Sequence, residues 1–141
     1  MKSYKNWSGE HRLKMYAKFK YQKTKNQLPQ WLRIEGECEM CGETHKTMPH
    51  AEEYGPTFDD YLKNIHVLCV RCHSMLHLRF KYNQHWIDYL DYLKELQSGK
   101  VDRKKPLSHM GVLFDKCKYW KKTKIPYKPK LRGKWWEKLQ I

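Results

Sequence analysis

The sequence predicts an α+β fold. Its centre is a small metal-stapled core of two short strands and a helix. Further helices flank that core, and a basic, aromatic C-terminal arm closes the chain. Three observations lead there. Two Cys-x-x-Cys pairs, Cys38-Glu39-Met40-Cys41 and Cys69-Val70-Arg71-Cys72, stand 27 residues apart. Two short apolar runs, Thr47–His50 and Ile65–Leu68, have strand length and lie between the pairs. The charge is split by region: residues 1–33 carry a net +8, residues 34–100 a net −4, and residues 101–141 a net +10.

The cysteine spacing carries the stapling. A two-residue gap lets both thiolates of a pair turn onto one ion. Two pairs supply four sulfurs, a tetrahedral set that suits Zn²⁺ and leaves no open position, which describes a structural site. The competing reading is four unrelated buried cysteines, and it requires both spacings to arise by accident. A 141-residue chain with 40% apolar and 14% aromatic residues is one small domain's worth, for which a stapled core is more plausible than a large one. Met1-Lys2-Ser3-Tyr4-Lys5-Asn6-Trp7 has no apolar stretch of the kind that starts a secretory signal. No run approaches the length of a membrane span. The expected setting is a reducing cytoplasm, with no membrane partner, no small-molecule cofactor, and Cys117 left as a single thiol.

Four segments follow in order. Residues 1–33 form a basic N-terminal helix or arm. Ser8 caps the helix, Glu10 sits in its first turn, and it stops before Leu28-Pro29. Leu13, Ala17 and Tyr21 make one stripe, with Met15 and Phe19 on a neighbouring one. Its lysines suit either a solvated face or a phosphate contact. Residues 34–82 form the stapled core. Glu35, Glu37, Glu39 and Glu43 crowd the first cysteine pair and are expected to face water. Gly55-Pro56 is a turn, Phe58–Leu62 a single helical turn, and a helix is expected from Cys72 to about Lys81. Residues 83–100 form an amphipathic helix with Trp86, Leu90, Leu93 and Gln97 along one face, stopped by Ser98-Gly99. Residues 101–141 form a basic, aromatic arm whose charge suits a polyanion.

The histidines add chemistry to the staple. His73 follows the last cysteine directly and His77 comes one helical turn later, on the same face. Asn64 lies nine residues before His73, and His50 sits between the cysteine pairs. With Cys38-x-x-Cys41, His50, Asn64, Cys69-x-x-Cys72-His73 and His77 together, the stretch resembles the HNH endonucleases, or ββα-metal nucleases. The similarity is to their zinc-stapled phage and restriction-type branch. It covers about 40 of the 141 residues.

The resemblance implies a treble-clef-like ββα core and hydrolysis of DNA phosphodiester bonds, in a bacterial or phage-infected cell. It implies His50 as general base, Asn64 as the group that orients it, and His73 and His77 as ligands of a catalytic Mg²⁺ or Mn²⁺. The family usually has Asp-His or His-His where this chain has Pro49-His50-Ala51. Either His50 is the base and Pro49 replaces a ligand, or His50 is the ligand and Ala51 replaces the base. His50 as base is the preferred alignment, with Glu52 or Glu53 near enough in sequence to complete the metal site.

In the arm, Lys116, Lys118, Trp120, Lys121, Lys122, Lys124, Lys128, Lys130, Arg132 and Lys134 are the candidate DNA contacts. Cations neutralise phosphates, and aromatic rings stack on bases or wedge into steps. Because one such centre cuts one strand, a double-strand cutter would be a two-fold homodimer, and the helix from Gln84 to Gln97 is its expected contact. The alternative function is a zinc-stapled nucleic-acid-binding protein without catalysis.

Overall fold

The computed structural model describes residues 4–44, 46–97 and 135–139. Helix α1 spans Gly9–Thr24, strand β1 Thr47–Ala51, helix α2 Phe58–Lys63 and strand β2 Ile65–Cys69. Helix α3 spans Val70–Leu78 and helix α4 Asn83–Gln97, and a 3-10 turn covers Trp135–Lys138. The two strands pair in one antiparallel sheet, giving a small α+β molecule. No described helix is long and apolar enough to cross a membrane.

By packing, the chain forms two units, each built from two separate stretches. The first takes Met1–Ile34 with Pro49–His66, the second Glu35–Met48 with Val67–Ile141. The boundary runs across both strands.

In the first unit, α1 starts where the sequence places it. Ser8 Oγ accepts the His11 N–H at 3.1 Å, and Glu10 lies in the first turn. The inward stripe, however, is Met15 and Phe19, while Leu13, Ala17 and Tyr21 are exposed. The start of the helix decides this. His11 Nε2 bonds the Gly55 carbonyl at 2.8 Å, and its ring stacks on Trp7. The Arg12 guanidinium sits over Tyr4 and Tyr54. Those anchors turn the 11/12/15/19 face inward. Met15 and Phe19 then join Ala51, Tyr54, Tyr61, Leu62 and Ile65 in one core.

Helix α2 is short but well capped. Thr57 Oγ1 accepts the Asp60 N–H, and the Asp60 carboxylate accepts the Thr57 N–H in return. Gly55 precedes it at φ +68°, where an added Cβ would come within 2.3 Å of Asp60 Cβ. Only glycine fits that turn.

The second unit is organised around the cysteines. Its core holds Cys38, Met40, Cys41, Leu68, Cys69, Cys72, Met75 and Leu76, with Trp86, Tyr89, Tyr92, Leu93, Leu96 and Trp136. Helix α3 begins at Val70, two residues before the expected start, because Cys69 is its N-cap. On α4 the buried residues are Trp86, Tyr89, Tyr92, Leu93 and Leu96, with Leu90 only half-buried and Ile87 exposed. The apolar face of α4 thus packs into its own unit. Ser98-Gly99, Cys117 and the arm contacts Lys116, Lys118, Trp120, Lys121, Lys122, Lys124, Lys128, Lys130, Arg132 and Lys134 lie outside the described residues.

Candidate metal centre

The four cysteines of the second unit are all buried and none forms a disulfide. Their sulfurs lie within 4.8 Å of one another. Cys41 Sγ and Cys69 Sγ are 3.6 Å apart, close to the edge of about 3.8 Å expected of a sulfur tetrahedron around zinc at ~2.3 Å. The donor set is sulfur alone, which is compatible with a structural zinc site.

Backbone and side-chain donors converge on these sulfurs. The Cys72 N–H points at Cys69 Sγ at 3.4 Å. The Tyr89 hydroxyl lies 3.0 Å from Cys72 Sγ, placed to donate to a thiolate. Burial pushes the Cys69 and Cys72 thiols well above their ordinary values. A cation bound by Cys69 and Cys72 therefore has to displace protons.

Two of the glutamates around the first pair do not face water. Glu39 Oε2 accepts the Val67 N–H at 2.6 Å, and its Oε1 accepts the Trp135 indole N–H at 3.2 Å. Glu43 is fully buried, and its carboxylate accepts the Thr44 N–H. These carboxylates satisfy backbone donors around the cysteine loop, a need invisible in the linear charge pattern. Glu35 is exposed, as expected.

Directly after Cys72 and one turn further on, α3 presents the histidine pair. His73 Nε2 and His77 Nε2 lie 2.9 Å apart, with the rings edge to face. Two imidazole nitrogens on one ion at ~2.1 Å and right angles would be about 3.0 Å apart, so the pair is spaced as two neighbouring ligands. His77 is exposed and His73 half-buried.

In the first unit, His50 is buried near the end of β1, and its Nε2 bonds Glu52 Oε1 at 3.0 Å. Glu52 is itself buried. It accepts the Tyr4 hydroxyl at 2.8 and 3.1 Å and pairs with Lys5 Nζ at 2.9 Å. Lys5 also pairs with Glu53. Burial opposes the Lys5 charge, but the two carboxylates outweigh it and its pKa is raised. Asn64 caps the end of α2 and donates its amide to the Asp60 carbonyl at 2.8 Å. His50 is thus bonded to Glu52, a carboxylate that the sequence offers to the metal site. Nothing in the sequence signals Tyr4 and Lys5, which stand 48 positions away from Glu52 and Glu53.

No protein-family model, no curated protein and no solved structure matches the chain.

Proposed function

We propose that the chain is a metal-dependent DNA endonuclease, stapled by zinc on Cys38, Cys41, Cys69 and Cys72. The observation that carries this reading is the His73/His77 pair. Two imidazole nitrogens converge on a helix whose first turn is built from the cysteine cluster. A staple alone has no use for them. The β1–α2–β2–α3 order agrees with a ββα core.

In this reading His73 and His77 hold one divalent ion, and His50 takes the proton of the attacking water. Glu52 fixes His50: an Nε2–H donated to the carboxylate leaves Nδ1 as the basic nitrogen. The Glu52 contacts thus supply the orientation that the resemblance assigned to Asn64, and Asn64 ends the helix that leads into β2. A bound Mg²⁺ or Mn²⁺ supplies positive charge for the phosphate and its leaving oxygen. Nitrogen donors suit a transition ion better than Mg²⁺, so Mn²⁺ is the expected stronger activator. The basic arm, with Lys116 to Lys134, neutralises flanking phosphates.

A second reading keeps zinc and DNA but no catalysis. What favours it is the burial of His50 and the engagement of its Nε2 by Glu52. Plasmid incubated with the protein and Mn²⁺, Mg²⁺ or chelator separates the two. Nicked or linear product with metal, lost on His50→Ala by a factor of at least about 10² while duplex binding persists, supports the endonuclease. Wild-type protein that binds the plasmid and never cuts it leaves the binding-only reading.

A further inference from the structure

Helix α1 carries two apolar stripes, and the fold uses one. Met15 and Phe19 are buried, whereas Leu13, Tyr16 and Tyr21 remain 50%, 41% and 60% exposed. Ala17 between them is exposed as well. Lys14, Lys18, Lys20 and Lys25 flank this outward stripe and are all exposed. The Lys20 ammonium lies 5.6 Å from the Tyr16 ring centre and that of Lys25 lies 5.9 Å from Tyr21. The helix has a single acid, Glu10, confined to its first turn.

We propose that this face of α1 docks onto duplex DNA, the lysines reaching phosphates while Leu13 and the tyrosine rings lie against the sugars. It rests on reading the chain as DNA-directed and adds a surface outside the metal centre. Charge complementarity selects the occupant. A second copy of the chain would bring two rows of lysines face to face, which repel. An anionic bilayer takes helices with a deep row of Trp, Phe and Leu opposite the lysines. Here Leu13 and Ala17 are the aliphatic members of the outward face, and the rings are tyrosines. Lysine beside an exposed planar ring suits a polyanion whose phosphates alternate with less polar sugar surfaces.

The test uses the full chain, a short fluorescent duplex and fluorescence anisotropy in chelator, where no cutting occurs. One variant combines Lys14→Gln, Lys18→Gln, Lys20→Gln and Lys25→Gln. A charge-matched control combines Lys46→Gln, Lys63→Gln, Lys81→Gln and Lys94→Gln, all exposed elsewhere. The α1 variant should bind at least about tenfold more weakly, with the salt slope lowered by about three. The control should lose less than about threefold. Tyr16→Ser with Tyr21→Ser should weaken binding about tenfold through lost apolar contact, at an unchanged slope. Equal losses in the two lysine sets, or no effect of the tyrosines, overturns the proposal. So does α1-dependent binding to phosphatidylserine vesicles with duplex binding unaffected. Plasmid cleavage with Mn²⁺ reports separately on the endonuclease reading. Wild-type protein that binds duplex through α1 and never cuts removes the endonuclease and keeps this surface; cutting with wild-type affinity in the α1 variants does the reverse.

Discussion

At the scale of single residues, Glu52 ties the proposed base to the N-terminal segment. It is buried and holds Tyr4, Lys5 and His50 at once. Glu52→Gln keeps the shape but donates from one side of the amide, so His50 loses its fixed acceptor. Plasmid cleavage should fall about ten- to a hundredfold, with zinc content and duplex affinity unchanged. Cleavage at the wild-type rate would return the orienting role to Asn64. Tyr89 is the corresponding residue of the zinc cage. Tyr89→Phe removes the hydroxyl beside Cys72 Sγ, and zinc should be lost to a competing chelator about ten times more readily. Tyrosines also set an alkaline limit. Burial pushes Tyr92 up to about 12, against the pull of Arg71, and raises Tyr61 and Tyr89 as well. The folded chain then keeps phenol protons that the unfolded chain gives up near pH ~10. Their stabilisation is complete below that pH and is lost as the pH climbs through about 12. Circular dichroism during alkaline titration should show stability falling across that window. A flat response there would mean that these rings are solvated.

At the scale of elements, the places where sequence reasoning succeeded share a local cause. Ser8 and the Thr57/Asp60 box announce helix starts through side chains within three residues of the backbone they cap. The two strands were legible from short apolar runs, and each is only one residue longer than expected. Helix α3 was misplaced because its cap is a cysteine, a residue read as a ligand and not as a helix start. On α1 the two stripes look equivalent in sequence; His11 and Arg12 choose between them through partners some 40 residues away. The candidate site was legible in its cysteines and histidines, whose spacing is local, and Glu52 was a candidate ligand; its bond to His50 and the parts of Tyr4 and Lys5 were not legible, because they meet only in the fold. Cysteine at a cap allows a clean separation of roles. Cys69→Ser retains an oxygen that can accept the Cys72 N–H, so α3 could still start, but the cage loses a sulfur. Metal analysis should give about one zinc per wild-type chain and well below one for Cys69→Ser and Cys41→Ser. A variant that keeps full zinc would remove Cys69 from the ligand set. The 3-10 turn contributes by packing: Trp136 is buried in the cysteine core, and Trp136→Ala should destabilise that unit by about 3–5 kcal/mol in urea titration.

At the scale of the whole molecule, each unit has its own apolar core, one of them lined by the four cysteines. Metal removal should therefore act selectively. A strong chelator should lower helical ellipticity from α3 and α4 and shift the emission of Trp86 and Trp136 to the red, since both indoles are buried around the cage. Unchanged emission would show that the core survives on packing alone.

The interleaving also sets an order in time. As the chain leaves the ribosome, Met1–Ile34 emerges without Pro49–His66, the stretch that completes its core. Cys38 and Cys41 follow as a lone pair, with Cys69 still 28 positions behind Cys41. At roughly 5–20 residues per second, that pair waits seconds with half a coordination set. Neither unit can finish while the other's inserted stretch is unmade: the first core stays open until Ile65 is made, and the second until Trp86, Leu96 and Trp136 have followed the cysteines. Closing of the first core and completion of the cysteine set thus fall almost together, and a stall in translation between residues 41 and 65 would strand both.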